Sequence, residues 1–202
     1  MSRSGFENKN RGPHNRRSSL PAPVMYSTAM SRLRRPFLPD RYFFISVRLR
    51  RRREKMADAD FVLLARVFNR ARALHPFLLT AWVFLPDHWH AICAPRHPAT
   101  ISLVVKSVKQ SSTTAINRCR STSGPFWQPR FFVRALRTVK EYNEKVEYIH
   151  LNPVKAGLVQ RPEEWFWSSA REYSGSLHEE ATRHPFLPID RVMLPSDEQK
   201  RI

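Results

Sequence analysis

His88 and His90 stand two positions apart with Trp89 between them. On a β-strand side chains alternate faces, so the two imidazoles point one way and the indole the other. Two imidazoles one pleat apart can share a divalent metal ion. An isolated His-x-His pair is more often a structural feature than a metal site, and a His-rich zinc site would need more ligands than this stretch supplies. Tyr148 and Asn152 form a second pair, four residues apart on a predicted helix and therefore on one face. A phenol oxygen can act as a nucleophile, although a weak one at its ordinary pKa of about 10. An asparagine carbonyl is a hard oxygen that can complete a metal site begun by two histidines. Plainer roles suit both: a tyrosine in an amphipathic helix packs in a core, and asparagine before proline stops a helix.

Two further stretches suit a polyanion. Phe126-Trp127-Gln128-Pro129-Arg130-Phe131-Phe132 interleaves aromatic rings with Gln and Arg, a pattern fit for stacking on unpaired bases or for plugging the edge of a core. Arg50, Arg51, Arg52 and Arg53 follow a strand without interruption, either as a solvated loop or as a phosphate track. The chain of 202 residues carries 35 Lys+Arg against 17 Asp+Glu, a net charge of +18, and 27 of those cations are arginine. Arginine forks phosphate and stacks on bases, which favours nucleic acid over an anionic membrane. The excess is uneven: residues 1–56 hold 15 Lys+Arg and 3 Asp+Glu, the rest 20 and 14.

Hydrophobic residues at 42% exclude a wholly disordered basic chain. Only Cys93 and Cys119 occur, outside any Cys-x-x-Cys, so neither a disulfide framework nor a cysteine-rich zinc module is expected. No run of 18 apolar residues and no secretory signal are present, so a cytoplasmic protein is expected, nucleoid-associated when bound to DNA.

The elements that must position these residues follow from hydrophobic period. Residues 41–49 predict a buried strand and 57–74 a helix with Phe61, Leu64, Ala65, Phe68 and Ala71 on one face. Residues 77–84 and 88–94 predict two strands joined at Pro86-Asp87. Thr100 caps a helix over 101–118, a short strand follows at 131–136, and a helix over 138–151 is ended by Pro153. Mixed in that order, they predict an α+β fold, a ferredoxin-like sandwich with a central antiparallel sheet and helices packed on it. Residues 1–35 read as a basic arm, 36–173 as the folded domain and 174–202 as a C-terminal tail.

Four segments carry a resemblance: PDHWHAI, FWQPRFFVRALRT, VEYIHLNPVKAGLV and EEWFWSSAREY. In that order the chain resembles the REP-associated tyrosine transposases, relatives of the single-tyrosine transposases of insertion sequences. These belong to the nuclease superfamily named for a His-hydrophobic-His motif. The resemblance spans about 36–173. It implies that His88 and His90 bind a metal, that Asn152 is the third ligand, and that Tyr148 is the nucleophile. It further implies Mg2+ or Mn2+ as cofactor and single-stranded or hairpin DNA as partner, with a monomer favoured over a homodimer. The implied reaction is metal-dependent cleavage and rejoining of single-stranded DNA beside a palindromic hairpin, through a 5′-phosphotyrosine. Arg50 to Arg53, Trp127, Gln128 and Arg130 are the expected DNA contacts. The rival expectation is a domesticated relative that grips hairpins without cutting.

Overall fold

Phe43, Ile45 and Val47 alternate with Phe44, Ser46 and Arg48, and this period of two builds a strand with two unlike faces, β1 (Phe43–Arg48). A computed structural model describes residues 41–174 and 184–193. Across them β1 is followed by α1 (Asp58–Leu74), β2 (Phe77–Leu85), β3 (His88–Pro95), α2 (Ile101–Cys119), β4 (Phe132–Ala135), α3 (Val139–Lys155), a short 3-10 helix (Pro162–Glu164) and α4 (Ala170–Tyr173). The strands form one sheet in the order β2-β3-β1-β4 with every pair antiparallel. A βαββαβ chain in this order is the ferredoxin-like sandwich expected from sequence.

The two faces bury different things. Ile45, Val47, Trp89, Ala91, Trp82 and Phe84 face the inner sides of α1 and α2, where Phe61, Leu64, Phe68, Val104, Val105 and Val108 complete the larger core. Phe44, Ile92, Ala81, Val83 and Leu85 face the other way and meet Tyr142, Val146 and Ile149 of α3. The start of α1 is tied to the end of α2 by Asp60, whose carboxylate accepts from Nε and Nη2 of Arg120 while capping the Ala57 amide. This fork pairs a buried carboxylate with a planar donor, the arrangement in which burying charge is tolerated.

Helix α3 runs further than expected. Pro153 sits inside its last turn rather than ending it, and the helix closes at Lys155 with the Ala156 amide donating to Asn152. A proline has no amide to donate, but one lost bond near a C-terminus removes little, and the Pro153 ring is buried. Asn152 is therefore helical, a full turn beyond Tyr148.

The edge of β2 is covered. The Phe84 amide donates to Trp167, that of Ser169 to Trp82, and that of Asp190 to Leu79. Residues 184–193 fall in the stretch expected as tail, yet Leu187 and Ile189 join the larger core and Asp190 pairs with Arg72 at 2.6 Å. Their apolar residues are too sparse to show a period, so only the packing reveals them. The basic arm lies outside the described residues, as do 175–183 and 194–202. Among the described residues no helix is long and apolar enough to cross a membrane.

His184 pins this segment. Its Nδ1 accepts from the amides of Phe186 and Leu187, and its Nε2 meets the carbonyl of Phe166 at 3.1 Å. Only the neutral imidazole does both, since Nδ1 must keep its lone pair. Burial accordingly lowers His184 from 6.5 to about 4. A histidine with a depressed folded pKa stabilises fully above its unfolded value, and that stability is lost as pH falls through the window from 6.5 to about 4. Hydrogen exchange at residues 184–193 is expected to quicken relative to the rest of the chain between pH 7 and pH 4.5, after correction for intrinsic rates. In His184→Phe that extra pH dependence should disappear.

Candidate active site

The β2–β3 hairpin turns at Pro86-Asp87, and the register places His88 opposite Arg48 and His90 opposite Ser46 on β1. Trp89 points into the larger core, so both imidazoles share the face covered by α3. Their ring centroids are 4.8 Å apart. His90 is 3% exposed and packs beneath Phe44, the rings nearly parallel with centroids 5.3 Å apart. Tyr148 approaches from α3, its ring 5.3 Å from His90 and 5.8 Å from Phe44, and is 37% exposed. Two residues along the same helix, His150 faces elsewhere and meets Ser169 Oγ at 2.9 Å.

The two histidines are prepared differently. His88 Nδ1 meets Asp87 Oδ1 at 2.6 Å, and Arg48 stands 3.7 Å from the other carboxylate oxygen. Burial acts to raise the Asp87 carboxyl, but the hydrogen bond and charge of His88, with Arg48 beside it, hold it below its ordinary value. A carboxylate at Nδ1 selects the tautomer whose Nε2 is a free lone pair. By distance and angle neither ring nitrogen of His90 has a hydrogen-bond partner among the described residues, although the Ile45 backbone lies close enough to act on it. Burial and the charge of His88 lower it from 6.5 to about 3, so it is neutral at physiological pH. A buried polar group without a partner costs about 1–3 kcal/mol. Such an orphan, beside a second imidazole with a free lone pair, fits a missing ligand.

Asn152 lies one turn beyond Tyr148, and its amide nitrogen reaches back to the Tyr148 carbonyl at 3.5 Å, leaving the amide oxygen for another partner. Lys145 and Lys155 flank the phenol, each Nζ within 5.3–5.5 Å of its ring centroid. The fold thus brings His88, His90 and Tyr148 together, with Asn152 on the same helix face. No cluster of three His, Cys, Asp or Glu that could hold a metal ion stands among the described residues.

Other expected DNA contacts are placed differently. Trp127 is 3% exposed and its indole N–H donates to Ser112 Oγ at 2.8 Å, so it is a core residue and not a free stacking ring. Arg53 is spent on the fold: Nε donates to Pro125 O at 3.1 Å, Nη2 to Ser123 O, and the guanidinium lies 6.0 Å from the Phe126 ring. It pins the loop before β4. Arg50, Arg51 and Arg52 remain exposed in a tight turn whose Arg52 has φ 68°, closed by the Arg53 amide on Arg50. Gln128 is half-buried and donates to Leu49 O, while Arg130 is exposed. Sequence reasoning missed Asp87, taken there only as a turn residue, and Phe44, Lys145 and Lys155. A carboxylate adjoining a candidate ligand histidine was the one signal available for Asp87.

The chain as a whole has known counterparts. The family model described as "Transposase IS200 like" matches residues 41–152. The chain belongs to this family of DNA-binding transposases, and to the REP-associated tyrosine transposases within it, as the four sequence segments led us to expect. It is 33% identical to the REP-associated tyrosine transposase of Escherichia coli K12 over 141 residues, 69% of this chain and 82% of the relative. It is also similar to a REP-associated tyrosine transposase solved bound to a REP hairpin, with TM-score 0.63 and 28% identity over 82% of this chain and all of the other.

The burial of Trp127 has a measurable consequence. Trp127→Ala should lower stability by about 3–5 kcal/mol. Denaturant unfolding should show it as a lower midpoint without a comparable change for Arg51→Ala. An unshifted midpoint would return Trp127 to the surface.

Proposed function

We propose that the chain is a metal-dependent single-strand DNA endonuclease and strand transferase that acts beside hairpin DNA through a phosphotyrosine on Tyr148. The observation that carries this reading is the unpartnered, buried His90 beside His88 and the Tyr148 ring. Family membership supports it, as does the hairpin held by the similar structure.

His88, His90 and the Asn152 oxygen would hold a divalent ion, Mg2+ or Mn2+, which supplies Lewis-acid polarisation of the scissile phosphate when bound. Two neutral imidazoles and one amide oxygen bring no negative charge of their own, so an anionic phosphate oxygen is a welcome further ligand. Asp87 holds His88 in the tautomer that can ligate. The Tyr148 oxygen attacks phosphorus; one P–O bond forms to the phenol and the bond to the 3′ oxygen breaks. The phenol gives up a proton and the departing 3′ oxygen gains one. A 5′ phosphate is left on Tyr148, and attack by a second 3′ hydroxyl reverses the exchange. One phosphodiester replaces another, so no nucleotide triphosphate is needed. Lys145 and Lys155 offset the charge that builds on the phosphoryl oxygens, the largest contribution expected from fixed groups in such a site. Exposed Arg50, Arg51 and Arg52 and the basic arm add affinity without reading sequence.

The test is covalent capture. With Mn2+ and a labelled oligonucleotide spanning a palindrome from beside the coding region, the protein should form a denaturation-stable adduct. Tyr148→Phe should abolish it while retaining hairpin binding. Tight binding without adduct or cleavage, across several such hairpins, would replace the enzyme with a hairpin-gripping relative.

A further inference from the structure

Phe132 is the conspicuous surface feature beside the histidines. It is 56% exposed, a large apolar side chain on the short strand β4. Its register partner is Ser46, which in turn lies opposite His90, so all three share one face of the sheet. The Phe132 ring stands 6.1 Å from Phe44 in an edge-to-face contact. Phe44 is the ring that covers His90 and touches Tyr148. An aromatic row therefore leads from His90 through Phe44 to Phe132 and ends in solvent at the sheet edge. Helix α3 does not cover that end: its apolar side is used on Phe44, Val83, Leu85 and Ile92, and Phe132 is outside that cluster.

The surroundings say what would cover the ring. Lys145 Nζ is 5.3 Å from the Phe44 centroid, and exposed Arg48, 3.7 Å from the Asp87 carboxylate, lies opposite His88. Arg130 and Arg134 flank Phe132 along the chain, Arg134 exposed while its Nη2 pairs with Glu141 at 2.7 Å. A second copy of this chain pairing edge to edge would set these cations against one another, and cationic edges discourage such pairing. A nucleic acid single strand satisfies both features, with phosphates on the cations and a base on the ring. Neighbouring strands are about 4.8 Å apart, so β4 lies roughly 10 Å from β3, within reach of a nucleotide close to the scissile phosphate.

We propose that Phe132 is a stacking platform for an unpaired base adjoining the scissile phosphate. This rests on the single-strand reading above. Within the aromatic stretch that sequence offered for stacking, Phe126 and Trp127 are buried and Phe132 is the exposed ring. Stacking of this kind accepts any base, because every base has a π face.

Two readouts test it without strand cleavage. The full chain, in EDTA, is irradiated with a single-stranded oligothymidylate carrying scattered 5-iododeoxyuridine, and the cross-linked peptide is identified by mass spectrometry. The peptide bearing Phe132 should carry the cross-link. Affinity for the same oligonucleotide should fall about 5- to 100-fold in Phe132→Ala. Phe132→Leu should fall similarly, and Phe132→Trp should match or exceed the native protein. The exposed position predicts unchanged melting in all three. Native affinity in the Ala and Leu variants, or cross-links confined to other aromatic residues, would overturn the proposal. So would a native dimer that Phe132→Ala turns into a monomer with DNA affinity unchanged. Failure to form the Tyr148 adduct would count against strand transfer alone, since neither readout needs metal or chemistry.

Discussion

His90 is held between Phe44 and Tyr148 with neither ring nitrogen in a well-formed hydrogen bond among the described residues, and the rest of the site follows from that placement. A histidine buried as deeply as this usually finds a backbone or side-chain partner, because leaving it without one forfeits a hydrogen bond to water. Here burial keeps the imidazole neutral, Phe44 fixes its plane, and the free lone pair stays where a ligand can use it. His88 is oriented by another route, through a carboxylate that occupies Nδ1. One site thus holds two imidazoles prepared by different means, burial for His90 and a carboxylate partner for His88.

The sheet makes this possible because its two faces are separate compartments. Trp89 anchors β3 in the large core against α1 and α2, so the hairpin cannot slip by one residue without moving a tryptophan into the site and both histidines into the core. Helix α3 closes the opposite face only in part. Tyr142, Val146 and Ile149 seal one end, and Tyr148, with Asn152 a turn later, is left over the open end. Tyr148 arrives from a different element than the histidines, and Phe44, on the strand beside β3, touches both Tyr148 and His90.

Much of this was legible in sequence because it depends on short periods. The alternation of His88, Trp89 and His90 gives their faces directly, and the spacing of Tyr148 and Asn152 gives theirs. The order of elements led to the sandwich. What was not legible depends on partners far along the chain. Whether Trp127 stacks or packs is decided by Ser112, and whether Arg53 meets phosphate or carbonyls is decided by the loop at Ser123 to Pro125. Which of Phe131 and Phe132 faces the histidines is a question of parity, and only the pairing of β4 with β1 answers it. Pro153 reads as a stop because its local cost is visible, whereas the packing that tolerates it is not.

The central claim is that His88 and His90 together bind one divalent ion. Pulsed electron paramagnetic resonance of Mn2+ bound to the full chain reads imidazole nitrogen couplings directly. The account predicts two coupled 14N nuclei, reduced to one in His90→Ala and in His88→Ala. A Mn2+ spectrum without nitrogen couplings, or one that both substitutions leave unchanged, would contradict it.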